Sequence, residues 1–163
     1  MNRDLIGYIL GLIIFIIGIP FVMYLLTGIE NLAEIGLIRL SIFIILAILG
    51  IGLSIWSIVY MKNVGKGNPF DAFNHEIAPR TSLLMTDGPY GICRNPMLLG
   101  VFIYHLGVLI VLLSLGAVIV FIIEVLIMTI QVKKEEQRLI NDFGNEYVKY
   151  KKNVNRFFPK FNF

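Results

Sequence analysis

Two polar stretches of this 163-residue chain hold the side chains best able to do chemistry. One is Asp87-Gly88-Pro89-Tyr90-Gly91-Ile92-Cys93-Arg94-Asn95-Pro96, and the other is Lys133-Lys134-Glu135-Glu136. Glycine and proline set unusual backbone angles and let a ligand approach the main chain closely. Arg94 reads either as a cation snorkelling at a membrane surface or as a ligand contact. Lys133 to Glu136 read either as a solvated collar or as part of a site. A cation facing an anion beside such a loop suits a charged cofactor and a greasy substrate. Glu124 and His105 are a second pair, embedded in apolar sequence. A carboxyl in a lipid-spanning helix is costly unless paired or neutral. The two residues are close enough in the pattern to contact each other, and both are placed outside the catalytic core.

Composition dictates the elements that must position these groups. Hydrophobic residues make up 57% of the chain and charged residues 15%. A soluble domain carries about 25% charged residues. A chain this short cannot hide so much apolar surface in an aqueous core. A soluble globular protein, a disordered chain and a water-soluble repeat array are excluded, and no nucleic-acid partner is expected. The one cysteine, Cys93, forms no intrachain disulfide, has no metal-ligand spacing around it and reads as a small buried residue.

Charge-free runs cover Leu5–Ile29 and Leu40–Met61, each long enough to cross a bilayer. The first reads as a retained anchor, since it is too long for a signal-peptide core and no cleavage site follows. Pro20 lies inside it, and Gly7 and Gly11 form a small-xxx-small pair. A third apolar region, Pro96 to Val132, would extend roughly 55 Å as one helix, nearly twice the hydrocarbon thickness of about 30 Å. A hairpin turning near Ser114 and Gly116 resolves the mismatch. The expected fold is all-α: a polytopic helical bundle with spans at about 5–27, 38–61, 96–113 and 116–133.

Of fourteen basic residues, only Arg39 then lies near the outer side, while the 28–37 connection carries Glu30 and Glu34. This predicts an integral membrane protein with both termini cytoplasmic. The loop 63–95 and the tail 133–163 fall on that face. In the tail, Leu139, Phe143, Tyr147 and Tyr150 form an apolar stripe, predicting a helix from Lys133 to about Lys152 with a weak point at Gly144. The hairpin should bring Arg94 at one foot against Glu135 at the other. The whole chain reads as one domain, 1–163, with N-terminal spans 1–62 and a loop, hairpin and tail 63–163.

These stretches resemble a known pair of signatures. Gly88-Pro89-Tyr90, Arg94-Asn95-Pro96-Met97 and Gly100 are similar to GPYxxxR(H/N)PxYxG. Glu135-Glu136, Leu139, Phe143-Gly144, Tyr147, Tyr150 and Arg156-Phe157-Phe158-Pro159 are similar to EExxLxxxFGxxYxxYxxxxxRFxP. In this order, flanking an apolar hairpin, they resemble the isoprenylcysteine carboxyl methyltransferase family and its phospholipid methyltransferase relatives. The resemblance covers roughly residues 65–163.

It implies a membrane enzyme that uses S-adenosyl-L-methionine and methylates a lipid or a lipidated small substrate. By position, it implies cofactor contacts at His75, Ser82, Leu83, Leu84, Met85, Tyr90, Asn95, Pro96, Met97, Leu98 and Glu135. The loop and tail helix would cover the cofactor, with Tyr90 and Phe143 against its adenine. Arg94 and Glu135 take catalytic places, Arg94 orienting an acceptor carboxylate or offsetting charge near the cofactor carboxylate. A family arginine that contacts substrate aligns with Gln131, while Gly91 and Leu98 replace a frequent arginine and tyrosine. A carboxylate acceptor needs no base; a lipid amine or phenol would draw on Glu135, Glu136 or His75. The alternatives are an NADPH-dependent membrane reductase of related architecture and a non-catalytic homologue.

Overall fold

In the computed structural model, residues 3–27, 35–67 and 81–159 are described, and all regular structure among them is helical. His75, Glu30 and Glu34 lie outside the described residues. The N-terminal rod consists of α1 (Arg3–Gly11), a π-helical segment (Leu12–Gly18) and α2 (Ile19–Leu25). Next come α3 (Leu37–Tyr60), extended by a π turn (Met61–Gly65), and a short α4 (Pro89–Ile92). Finally, α5 (Pro96–Leu112) and α6 (Leu115–Phe143) make the hairpin, and α7 (Asn145–Asn153) completes the chain.

Three rods are long and apolar enough to span a bilayer: Gly7–Leu25, Leu37–Gly65 and Leu115–Phe143. The shorter apolar α5 has 17 residues, at the low end of the spanning range of about 17–25. Their outer faces carry isoleucine, leucine and phenylalanine in the open, including Ile17, Phe21, Ile48 and Leu126. That surface is stable only in lipid. The protein is a polytopic membrane helical bundle.

The turn and the tail depart from the sequence reading in detail. The hairpin turns at Leu113, in the left-handed conformation, and at Ser114, whose hydroxyl accepts the Ala117 N–H at 3.1 Å as an N-cap. Gly116 is already inside α6, where its missing side chain leaves room for the Leu26 carbonyl. No separate tail helix starts at Lys133. The helix of the fourth span continues past its apolar part without a break to Phe143, about 44 Å in all at 1.5 Å per residue. The helix does break at Gly144, with φ +55° and ψ −129°, a conformation that L side chains avoid. This redirects α7 back over the hairpin foot.

The α3–α5 contact is the most extensive between helices among the described residues and depends on small residues. A Cβ on Gly50 would lie 2.4 Å from the Gly100 carbonyl, and one on Gly100 would lie 2.4 Å from the Gly50 carbonyl. Where apolar surface faces apolar lipid, such backbone approach and interhelical hydrogen bonds hold helices together. Ser54 adds one such bond, donating to the Met97 carbonyl at 2.9 Å. Gly52 on the same helix has nothing near it. Gly50→Ala is therefore expected to force α3 and α5 apart and destabilise the protein by about 1–3 kcal/mol. Gly52→Ala should leave stability unchanged or raise it by up to about 1 kcal/mol. Thermal unfolding of the two variants in one detergent checks this contrast.

Candidate active site at the charged end of the bundle

The loop before α5 is held from both sides. The Ser82 N–H donates to the Gly65 carbonyl at 2.9 Å. The Asp87 carbonyl accepts from the Tyr90 and Gly91 N–H groups, opening α4, while the Asp87 carboxylate accepts from the Tyr60 hydroxyl. Gly88, at φ +56°, lies against the Tyr60 ring, where a Cβ would be 2.6 Å from a ring carbon. Tyr60 and Tyr90 rings pack 6.2 Å apart, and the Tyr150 hydroxyl donates to the Tyr90 carbonyl at 2.6 Å. Cys93 is fully buried, and burial pushes its thiol up, so it is a packing residue.

The tail is fastened onto this loop. The Arg94 N–H donates to the Asn155 carbonyl at 2.8 Å and the Asn95 N–H to the Arg156 carbonyl at 3.1 Å. Beneath them sits Glu136, with a side chain only 4% exposed. Its Oε1 accepts from Arg94 Nε at 3.0 Å and Nη2 at 2.7 Å, and from Arg156 Nε at 3.0 Å. Its Oε2 accepts from Arg156 Nη2 at 2.8 Å, with Lys151 Nζ at 3.4 Å. Arg94 Nη1 also donates to the Lys151 and Val154 carbonyls. Four of the five guanidinium N–H groups of Arg94 are thus engaged.

The expected Arg94–Glu135 pair is therefore corrected to Arg94–Glu136. The two glutamates are successive on α6 and so point about 100° apart. The one aimed at the α5 foot and the tail is Glu136. Arg156 and Lys151 complete the cluster. Arg156 was signalled by the Arg156-Phe157-Phe158-Pro159 segment, which carries no partner assignment by itself, and no motif singled out Lys151.

Adjacent carboxylates acquire opposite character. For Glu136, burial alone would raise the pKa. The hydrogen bonds from Arg156 and Arg94 outweigh it and hold the pKa at about 2. Glu135 has no arginine so close; Arg138 Nη2 stands 4.0 Å away. Partial burial against the bundle and then the charge of Glu136 raise its pKa to about 7. Its side chain is 43% uncovered, and it borders a cavity. Burial pushes the phenols of Tyr90, Tyr147 and Tyr150 upward, so all three stay neutral.

That cavity has a volume of about 640 Å³, within the range of about 300–1,000 Å³ typical of small-molecule sites. Leu83, Leu84, Met85, Tyr90, Arg94, Asn95, Pro96, Met97 and Leu98 line it from the loop and α5. Gln131, Glu135, Glu136, Arg138 and Phe143 line it from α6, and Tyr147 and Tyr150 from α7. Ser82 is not on its wall. The cavity continues among the spans beside Gly7, Gly11 and Phe15 of the N-terminal rod and Ser54 of α3. It therefore has a charged end and an apolar arm.

The profile of the phospholipid methyltransferase family matches residues 38–146. The chain belongs to this family. The matched stretch contains α3, the hairpin and both glutamates, so family membership covers most of the cavity wall. The chain is also similar to the protein-S-isoprenylcysteine O-methyltransferase of Schizosaccharomyces pombe. Identity is 28% over 99 residues, covering 58% of this chain and 42% of that protein. It is similar to the mouse protein of the same name, 34% identical over 86 residues, covering 50% of this chain and 30% of that protein. The chain spans less than half the length of these curated relatives. No solved structure matches it.

Removing the buried anion strands Arg94, whose side chain is 7% exposed. Glu136→Ala is expected to cost about 3–5 kcal/mol, measured by denaturant or thermal unfolding. Because the folded pKa of Glu136 is depressed, its stabilisation is present above about 4.5 and is lost as pH falls towards about 2. The gap between wild type and Glu136→Ala should narrow over that window.

Proposed function

We propose that this protein is a membrane methyltransferase that transfers a methyl group from S-adenosyl-L-methionine to a lipidic acceptor, such as an isoprenylcysteine carboxylate or a phospholipid headgroup. The observation that carries this reading is the shared cavity. Residues from the 90–98 and 135–150 segments, far apart in sequence, line one chamber whose arm runs among lipid-facing helices. A polar cofactor and an apolar acceptor chain then meet at the membrane surface. We read that surface as cytoplasmic, with both chain ends on that side, from the placement of the basic residues.

The wall suits the cofactor. Leu84, Met85, Tyr90, Met97 and Leu98 offer apolar surface for a purine, and Glu135 offers a carboxylate to an amine or a ribose diol. When bound, the cofactor supplies an electrophilic methyl group on a sulfonium. The protein's task is then alignment of acceptor and methyl in one line, which requires positioning above all.

Glu135 is the carboxylate suited to cofactor contact or proton removal, because Glu136 is locked as an anion between arginines. Arg94 acts as a positioning residue, since its donors hold Glu136 and the tail carbonyls. Gln131 lies one turn before Glu135 on the same wall and offers a neutral amide to the acceptor headgroup.

Calorimetric titration of the purified protein in detergent with S-adenosylhomocysteine tests the cofactor. Binding that NADPH does not compete supports the reading; stabilisation by NADPH alone overturns it in favour of a reductase. If Glu135 meets the cofactor as an anion, affinity rises with pH through about 7. It should be about tenfold weaker at pH 6 than at pH 8. Glu135→Gln should weaken binding at pH 8 and flatten this dependence. Label from methyl-labelled cofactor should enter a membrane lipid extract, and Glu135→Ala should abolish that transfer.

A further inference from the structure

The N-terminal rod changes from π to α geometry beside Pro20. The Ile19 N–H still reaches five residues back to the Ile14 carbonyl. The next N–H would come from residue 20, and proline has none. Residue 20 can donate neither to Phe15, its partner in π register, nor to Ile16, its partner in α register. Both carbonyls are taken up from α5. His105 Nε2 lies 2.6 Å from the Phe15 carbonyl, and the Tyr104 hydroxyl donates to the Ile16 carbonyl at 3.1 Å.

His105 is 0% exposed, and its other nitrogen, Nδ1, lies 2.8 Å from both carboxyl oxygens of Glu124 on α6. A carbonyl only accepts, so Nε2 carries a hydrogen. One further proton lies between Nδ1 and Glu124. The group is neutral as a whole whichever partner holds that proton, which suits its place among lipid-spanning helices. One imidazole thus ties together the rod, α5 and α6.

The rod needs such a tie at this point. On the far side of Pro20, α2 is packed by Met23 against Leu112 and Ala117, and Thr27 bonds the Ser114 hydroxyl at 2.8 Å. On the near side, among the described residues, α1 approaches the other helices less extensively than α2 does. Yet Gly7, Gly11 and Phe15 are a wall of the cavity's apolar arm. The stance of that wall is set where the rod is gripped.

We propose that His105 and Glu124, with the carbonyls that Pro20 leaves open, form a latch that holds α1 as the wall of the acceptor's apolar arm. They are positioning residues for the acceptor and not for the cofactor. This rests on the methyl-transfer reading above for the acceptor, but the latch itself has a readout independent of activity.

Spin labels at Ile9→Cys and Ile127→Cys, both on exposed faces, report the separation of α1 from α6 in reconstituted full-length protein. The background shows one narrow distance distribution. Glu124→Leu leaves Nδ1 facing a hydrocarbon, and Pro20→Ala returns a helical N–H that competes for the two carbonyls. Both should broaden or shift the distribution. In Glu124→Gln the amide donates to Nδ1 while Nε2 still donates to Phe15, so this variant should keep the background distribution.

In parallel, methyl transfer is assayed with N-acetyl-S-farnesylcysteine and with phosphatidylethanolamine vesicles as acceptor probes. Glu124→Leu should raise the acceptor KM about tenfold, as for loss of one buried hydrogen bond, with kcat and S-adenosylhomocysteine affinity nearly unchanged. Glu124→Gln should restore it. Background-like distances in both Glu124→Leu and Pro20→Ala overturn the latch. Loss of cofactor affinity in step with acceptor KM overturns the acceptor-specific role. If the unmutated protein methylates neither probe, the functional reading fails, and the distances alone decide the latch.

Discussion

The clasp on Glu136 is the interaction on which the charged end of the bundle depends. One carboxylate, almost fully withdrawn from water, receives four arginine hydrogen bonds from two elements and has a lysine beside it. Taking these charges out of water is costly, and the arrangement persists because both carboxylate oxygens are satisfied. Through it the α5 foot, the C-terminal third of α6 and the tail after α7 become a single unit. The roof of the cavity, Tyr147 and Tyr150, is held in place by the same unit. The clasp also isolates Glu135. With the arginines committed to its neighbour, Glu135 keeps a carboxyl near the neutral range, facing the chamber.

Within the spans the governing constraint is different. Lipid offers no partner for a backbone carbonyl, so each carbonyl that leaves the helical ladder must find a donor in the protein. Proline at residue 20 creates such carbonyls, and Tyr104 and His105 meet them. What would be a defect in a lone helix becomes the attachment between the rod and the hairpin. The small residues Gly50 and Gly100 do the complementary job, bringing α3 and α5 to backbone contact.

Several features were legible in the order of residues alone. Charge-free runs at Leu5 and Leu40, and an apolar stretch too long for one crossing, led to four spans with a hairpin. The Gly144 break and the meeting of His105 with Glu124 were also within reach, because they follow from local backbone chemistry and from the cost of lone polar groups in lipid. The paired signatures around the hairpin led to the family. The exact turn was not legible, since Ser114 and Gly116 are both turn formers; in the structure Ser114 caps α6 and Gly116 lies inside it against the Leu26 carbonyl. Nor was the continuity of α6, because the switch from apolar to charged sequence at Lys133 marks the membrane boundary and not a helix end.

Which glutamate faces the arginine was decided only in three dimensions. Glu135 and Glu136 are chemically identical and adjacent. Sequence determined that a cation and an anion would meet at the hairpin foot, because the length of the hairpin brings its two ends together. Rotation of about 100° per residue, and the return path of the tail imposed at Gly144, determined the rest. Glu136 turns towards Arg94 and Arg156, which engage both its oxygens, while Glu135, beside it on the cavity wall, has no arginine so close. A one-dimensional pattern specifies which residue types will be near each other. The phase of a packed helix specifies which of two neighbours becomes a structural anchor and which is left open to a ligand.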